Sequence, residues 1–155
     1  MNQTIQAFLD NNNVAVAGAS NNRDNFGLSI LKELSKIGYQ VHPVNPRCDE
    51  IEEIQCVPTV KELPPQVENV ILAVPSKLTE EIVRQCVGTH IKRVWMIKGM
   101  GNGAYSEQAH QVCRENNIEV VYGFCPMMFF GKGFHKFHFW MRRNFGKIPS
   151  EFTLN

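Results

Sequence analysis

Four small apolar residues, Val14-Ala15-Val16-Ala17, run without alternation into Gly18, and similar runs return over 70–74, 94–97 and, interrupted by Glu119, 118–122. A strand that is apolar at every position is buried on both faces, as in a parallel sheet covered by helices. Residues 39–44 predict a further strand, closed by Pro43 and Pro46 on either side of Asn45. Between these runs the period lengthens to that of a helix. Ile5, Phe8 and Leu9 share a face in a short helix over 2–10, with Thr4 as its N-cap. Phe26, Ile30, Leu34 and Ile37 do the same over 26–37, where Gly38 supplies a left-handed stop. A third helix is predicted from Ser76, as N-cap, through Val87, with Leu78, Ile82 and Cys86 inward and Gly88 ending it. A fourth, over 104–116, turns Tyr105, Ala109, Val112 and Cys113 inward. Residues 47–66, broken by Pro58, Pro64 and Pro65, predict a connection with an edge strand over 55–57 and little helix. Strands and helices alternating at intervals of roughly 20–30 residues predict an α/β fold. Its sheet is doubly wound, mostly parallel and Rossmann-like, of about five to six strands with helices on both faces.

Beyond Tyr122 the pattern changes. Gly123-Phe124-Cys125-Pro126 leaves the sheet, and eight of the ten phenylalanines stand at 124 or later. Phe134, Phe137, Met141 and Phe145 fall on one helical face, with Lys136, Arg142 and Arg143 off it, which predicts an amphipathic C-terminal helix. The chain therefore reads as a domain over 1–128 and a basic, aromatic-rich extension over 129–155, packed on the domain or on a partner.

Composition narrows the class. A length of 155 residues, 43% hydrophobic and 20% charged, suits one globular domain with a substantial core. The net charge of +1 hides an asymmetry, because from residue 123 onward five Lys or Arg face Glu151 alone. Five cysteines with no C-x-x-C pair form neither metal-ligand spacing nor a disulfide framework. They read as reduced thiols of a cytoplasmic protein. No secretory leader and no apolar run near the ~20 residues of a membrane span is expected.

The candidate chemistry collects where the first strand ends. A strand, a polar loop and a helix N-terminus present backbone amides and a positive dipole end to a phosphate. In the dinucleotide pattern G-x-G-x-x-G, Gly18 holds the first position, but Ser20 and Arg23 stand at the second and third. Gly27 follows in the first helical turn. The Ser20 hydroxyl and the Arg23 guanidinium both suit a phosphate oxygen. The second strand ends in Val44-Asn45-Pro46-Arg47, without the acid by which an NAD site holds the ribose hydroxyls. Asn45 can bond a ribose or base, and Arg47 is either a partner for a 2′- or 3′-phosphate or an ordinary loop cation. NADP and coenzyme A remain.

Taken together, Val14-Ala15-Val16-Ala17-Gly18-Ala19-Ser20 and Gly38-Tyr39-Gln40-Val41-His42-Pro43-Val44-Asn45-Pro46 resemble the small stand-alone coenzyme A-binding proteins. These are single Rossmann-like domains similar to the N-terminal domain of the succinyl-coenzyme A synthetase α subunit. The likeness continues through Cys56, Val60-Lys61-Glu62-Leu63-Pro64, Val74-Pro75, Val94-Trp95 with Gly99, and Cys125-Pro126-Met127. It implies that coenzyme A or an acyl derivative is the ligand. Its phosphates would be held by the amides of Gly18, Ala19 and Ser20 and by the helix start at Phe26 and Gly27, with Arg23 beside them. Asn45-Pro46 and Val74-Pro75 would flank the nucleotide. Lys98 would lie at the end of the next strand, in Met96-Ile97-Lys98-Gly99, where the family more often has a Gln-Pro-Gly turn.

No catalytic constellation accompanies this. His42, His90 and His110 lack a sequence-adjacent nucleophile or carboxylate, and Cys125 reads as a buried thiol unless its pKa is depressed. His135 and His138 are two imidazoles without a third ligand. The expected role is thus a non-catalytic or regulatory binder. Two alternatives are an NADP-dependent oxidoreductase and an interaction module acting through the C-terminal helix. That module would dock on a second copy, another protein, nucleic acid or an anionic membrane.

Overall fold

The computed structural model describes residues 3–97 and 103–130. The predicted amphipathic helix, with Phe134, Phe137, His135 and His138, lies outside the described residues, as does Lys98.

The elements in chain order are α1 (Gln3–Asp10), β1 (Asn13–Ala17), α2 (Phe26–Lys36), β2 (Gln40–Val44) and a hairpin of β3 (Glu50–Ile51) with β4 (Ile54–Gln55). A 3-10 turn (Val60–Glu62), β5 (Asn69–Leu72), α3 (Ser76–Cys86), β6 (Arg93–Met96), α4 (Glu107–Glu115), β7 (Glu119–Tyr122) and a second 3-10 turn (Pro126–Met128) follow. Five strands form one parallel sheet in the order β2-β1-β5-β6-β7. The predicted edge strand is reduced to β4 and a single parallel bridge between Val44 and Val57.

From β1 the chain first moves outward to β2, then returns to β5 on the other side. Right-handed crossovers in opposite directions place their helices on opposite faces. The sheet is thus doubly wound, and the reversal between β1 and β5 opens a crevice at the carboxyl ends of the strands.

Burial of the strands matches their composition. Val14, Ala15, Val16, Val70, Ile71, Leu72 and Trp95 are fully buried. On the face covered by α1 and α2, the Trp95 ring meets Phe8 edge-on at 5.2 Å and Phe129 at 5.6 Å, and its Nε1 donates to the Phe124 carbonyl at 3.1 Å. Phe130 is buried against Tyr39, centroids 5.0 Å apart. On the other face α3 and α4 pack on one another through residues that include Val83, Cys86, Ala109 and Cys113.

Four sequence expectations change. The inward stripe of α2 runs through Gly27, Ile30, Leu31 and Leu34, while Phe26 and Ile37 are exposed. Gly27 lies flush against the preceding loop, and Phe26, one step of about 100° away, is turned outward. In α3 the stripe is Thr79, Val83 and Cys86, and Leu78 is exposed. The Thr79 hydroxyl donates to the Ala104 carbonyl at 2.6 Å, which sets the rotation of the helix. Ser76 is the first residue of α3, with Pro75 in the cap position and no side-chain cap bond. The fourth helix starts later than predicted, because the Ser106 hydroxyl accepts from the Ala109 amide and caps it there. Among the described residues no helix is long and apolar enough to cross a membrane.

Candidate functional site

The loop from Gly18 to Gly27 is held between two surfaces by the absence of two side chains. Gly18 has φ +99°, and a Cβ there would stand 2.3 Å from the Ala73 carbonyl oxygen and 2.8 Å from Val74 Cγ1. No L residue adopts that conformation without strain, and none would fit. Gly27 would place a Cβ 2.8 Å from the Ala19 nitrogen and 2.9 Å from the Gly18 carbonyl carbon. The end of β5 therefore presses on the loop from one side and the first turn of α2 from the other. Close helix–loop packing is the task of the third glycine in the dinucleotide pattern. Here Gly27 performs it from a different spacing.

Asn25 ties the loop to the helix. Its Oδ1 accepts from the Leu28 amide at 2.7 Å, the N-cap bond of α2, and from the Ser20 amide at 3.2 Å. Its Nδ2 donates to the Gly18 carbonyl at 3.0 Å. One side chain thus satisfies a helix donor and both ends of the turn. The sequence reading missed it. The available signal was an Asn immediately before the first helical residue.

Asn45, at the tip of β2, does a similar job from the opposite side. Its Nδ2 donates to the Ala19 carbonyl at 2.8 Å, its Oδ1 accepts from the Arg47 amide at 2.8 Å, and its own amide donates to Val57 at 3.0 Å. Both ends of the side chain that was expected at a ribose are engaged within the loop framework. Pro46 follows it at the rim.

The amides divide unequally. Gly18 donates to the Val44 carbonyl and Ser20 to Asn25, while Ala19 is fully buried beneath Gly27. Two of the three amides expected to face a ligand, those of Gly18 and Ser20, are therefore engaged within the framework. Among the described residues, the amides of Phe26 and Gly27 at the start of α2 have no hydrogen-bond partner. The Ser20 hydroxyl accepts from the Asn22 amide at 3.3 Å and keeps its own proton to donate. Arg23 is exposed and has no ion pair among the described residues. Val74 is half-buried against Gly18, and Pro75 precedes α3 on the far side of the crevice. No acid stands at the β2 tip between Val44 and Arg47. The structure brings together Gly18, Ala19, Ser20, Gly27, Asn45 and Val74, and sets Arg23, Phe26, Pro46 and Pro75 around them.

The other titratable groups are poor catalysts where they lie. Burial pushes the Cys125 thiol up to about 11, and Cys86 and Cys113 to about 12, so none is a thiolate near neutrality. His42 pairs with Asn13 Oδ1 at 3.2 Å along the sheet, and burial lowers its pKa. Burial also lowers that of His110, whose Nδ1 lies 3.5 Å from the Tyr105 hydroxyl.

Residues 12–130 match the CoA binding domain family. The α subunit of the ADP-forming acetate–CoA ligase II from Pyrococcus furiosus is 31% identical over 112 residues, which cover 72% of this chain and 24% of that protein. The ADP-forming acetate–CoA ligase II of Archaeoglobus fulgidus is 29% identical over 115 residues, covering 69% of this chain and 17% of that protein. The chain thus spans about a quarter or less of these relatives. Among solved structures, a conserved hypothetical protein from Pyrococcus furiosus superposes with a TM-score of 0.69 at 34% identity, covering 75% of this chain and 97% of that one.

Proposed function

We propose that this chain, which belongs to the CoA binding domain family, binds coenzyme A or acyl-coenzyme A in the crevice between β1 and β5. The observation that carries the reading is the loop clasped between Gly18 and Gly27. It delivers the unpartnered amides of Phe26 and Gly27, at the positive end of α2, to a switch point where open α/β sheets take ligands. The pyrophosphate sits against those amides and the Ser20 hydroxyl, with Arg23 as its mobile counter-charge. Gly18, whose amide is bonded to Val44, contributes shape rather than a donor. Asn45-Pro46 and Val74-Pro75 form the two walls of the adenosine slot. The acid-free β2 tip leaves room for a phosphorylated ribose beside Arg47. The role is ligand binding or regulation, not catalysis by this domain alone, in a cytoplasmic setting. The extension after residue 128 docks on the domain, a second copy or another protein.

Calorimetry and thermal melting with coenzyme A test this. Coenzyme A binds and raises the melting temperature, and dephospho-coenzyme A binds more weakly for want of its 3′-phosphate. A ligand at 100 times its Kd stabilises a fold by about 2.7 kcal/mol, which a melt resolves. If saturating coenzyme A changes neither heat nor melting temperature, the proposal is wrong. Binding of NADPH in its place, read by its fluorescence, would favour the oxidoreductase class that Arg47 also permits.

A further inference from the structure

Residues 46–49 form an arch whose two feet stand on the clasped loop. At one end Asn45 Nδ2 donates to the Ala19 carbonyl at 2.8 Å. At the other, Asn21 Nδ2 donates to the Glu50 carbonyl at 2.9 Å. The loop from Gly18 to Gly27 thus holds both ends of the segment that carries Arg47. The hairpin behind the arch is pinned as well. The Cys56 amide donates to the Asp49 carbonyl at 2.9 Å, Val57 bridges to Val44 of β2, and Lys32 of α2 pairs with Glu52 at 3.2 Å.

The turn of that hairpin is strained. Glu52 and Glu53, the two residues between β3 and β4, have φ +51° and +63°. Positive φ at both positions is a type I′ turn, which favours Asn-Gly, and two glutamates adopt it against their preference. Strain of this kind persists where surrounding contacts over-determine it, as they do at ligand clamps. Here those contacts run to the ligand loop, through Asn21, and to the helix that follows it, through Lys32.

The order of charges makes the position of the arch consequential. Arg47 is exposed and has no ion pair among the described residues, and beyond Cys48 come Asp49 and Glu50, also exposed. A slip of the arch along the chain would set a carboxylate where the guanidinium stands, turning attraction for a phosphate into repulsion. The Arg47 amide is bonded to Asn45 Oδ1 at 2.8 Å, which fixes the start of the arch. The Asn21 bond to Glu50 fixes its end.

We infer that Asn21 is a positioning residue for the phosphorylated ribose: through Glu50 it sets where Arg47 stands relative to the pyrophosphate loop. The inference rests on coenzyme A binding at the Gly18 loop with its 3′-phosphate beside Arg47. Calorimetry on the whole chain compares coenzyme A with dephospho-coenzyme A. Asn21→Ala shrinks the preference for the 3′-phosphate by about 2- to 10-fold, the range of one lost hydrogen bond, and leaves dephospho-coenzyme A binding close to wild type. Arg47→Ala sets the limit of that loss. Adding Glu52→Asn and Glu53→Gly to Asn21→Ala strengthens the turn, so a preference still reduced there reports the place of the arch, not melting of the hairpin. An unchanged preference in Asn21→Ala, an equal loss for both ligands, or a wild-type preference in the triple variant overturns this inference and leaves coenzyme A binding standing. A wild-type chain that binds both ligands equally takes the phosphate away from Arg47 and overturns it too. Absence of any coenzyme A binding overturns both the inference and the proposed function.

Discussion

Asn25 holds more of the site than any residue the sequence reading selected. Losing an Asn N-cap costs about 0.5–2 kcal/mol, and Asn25→Ala also strands the Ser20 amide and the Gly18 carbonyl. We expect a loss of about 2–4 kcal/mol in urea denaturation, with Asn25→Ser recovering the cap but not the Gly18 bond and falling in between. Equal stability of the alanine and serine variants would show that the cap alone matters. Gly18 and Gly27 were legible from the sequence, since strand, glycine and helix start in that order describe a tight loop. Asn25 was hidden among Asn21, Asn22, Asp24 and itself, four residues with the same capping chemistry. Asn45 shows the reverse problem: an amide at a strand tip serves a ligand or its own loop equally well, and its bonds to Ala19 and Arg47 were not legible in the sequence.

Elements were predicted more securely than their rotation. The apolar runs located four of the five parallel strands, because burial on both faces leaves a signature that needs no partner information. The helical stripes of α2 and α3 were read correctly at Ile30, Leu34 and Cys86 but wrongly at Phe26, Ile37 and Leu78, which are exposed. A stripe broad enough to include Phe26 or Leu78 becomes definite only when a contact fixes the helix, and that contact involves the small residue Gly27 or the polar residue Thr79. Thr79→Val keeps the shape but leaves the buried Ala104 carbonyl without its 2.6 Å bond. The expected cost is about 1–3 kcal/mol by chemical denaturation, with Thr79→Ser retaining most of the wild-type stability. A neutral Thr79→Val would mean that packing with Ala104, not the hydrogen bond, sets the helix.

At the scale of the molecule, α/β alternation was visible in the chain but strand order was not, since no local pattern says on which side of β1 the third long strand returns. The fold also carries a pH dependence. His42 and His110 have pKa values lowered by burial, so the unfolded chain binds protons that the folded chain refuses. Stability is therefore full above the unfolded value near 6.5 and falls as pH drops below it. Glu68, held below the usual carboxylate range chiefly by its bond to Lys92, adds a second loss only below about 4.5. Urea midpoints between pH 7.5 and about 5 should decline in the wild type and flatten in His42→Asn with His110→Gln; parallel declines would place the titration elsewhere.

The packing of Phe129 and Phe130 has a consequence for biosynthesis. Trp95 lies in β6 and Tyr39 just before β2, yet Phe129 and Phe130, which pack on them, are translated last among the described residues. A nascent chain that has emerged through β7 has Phe8 to set against Trp95 but still lacks the rings that cover the rest of Trp95 and Tyr39. Chains grow at about 5–20 residues per second, so that exposure lasts from the emergence of Trp95 until some 35 further residues follow, a window of seconds. Closure of this side of the core thus waits for Phe129 and Phe130, and the interval before it is when the polypeptide most needs protection from its neighbours.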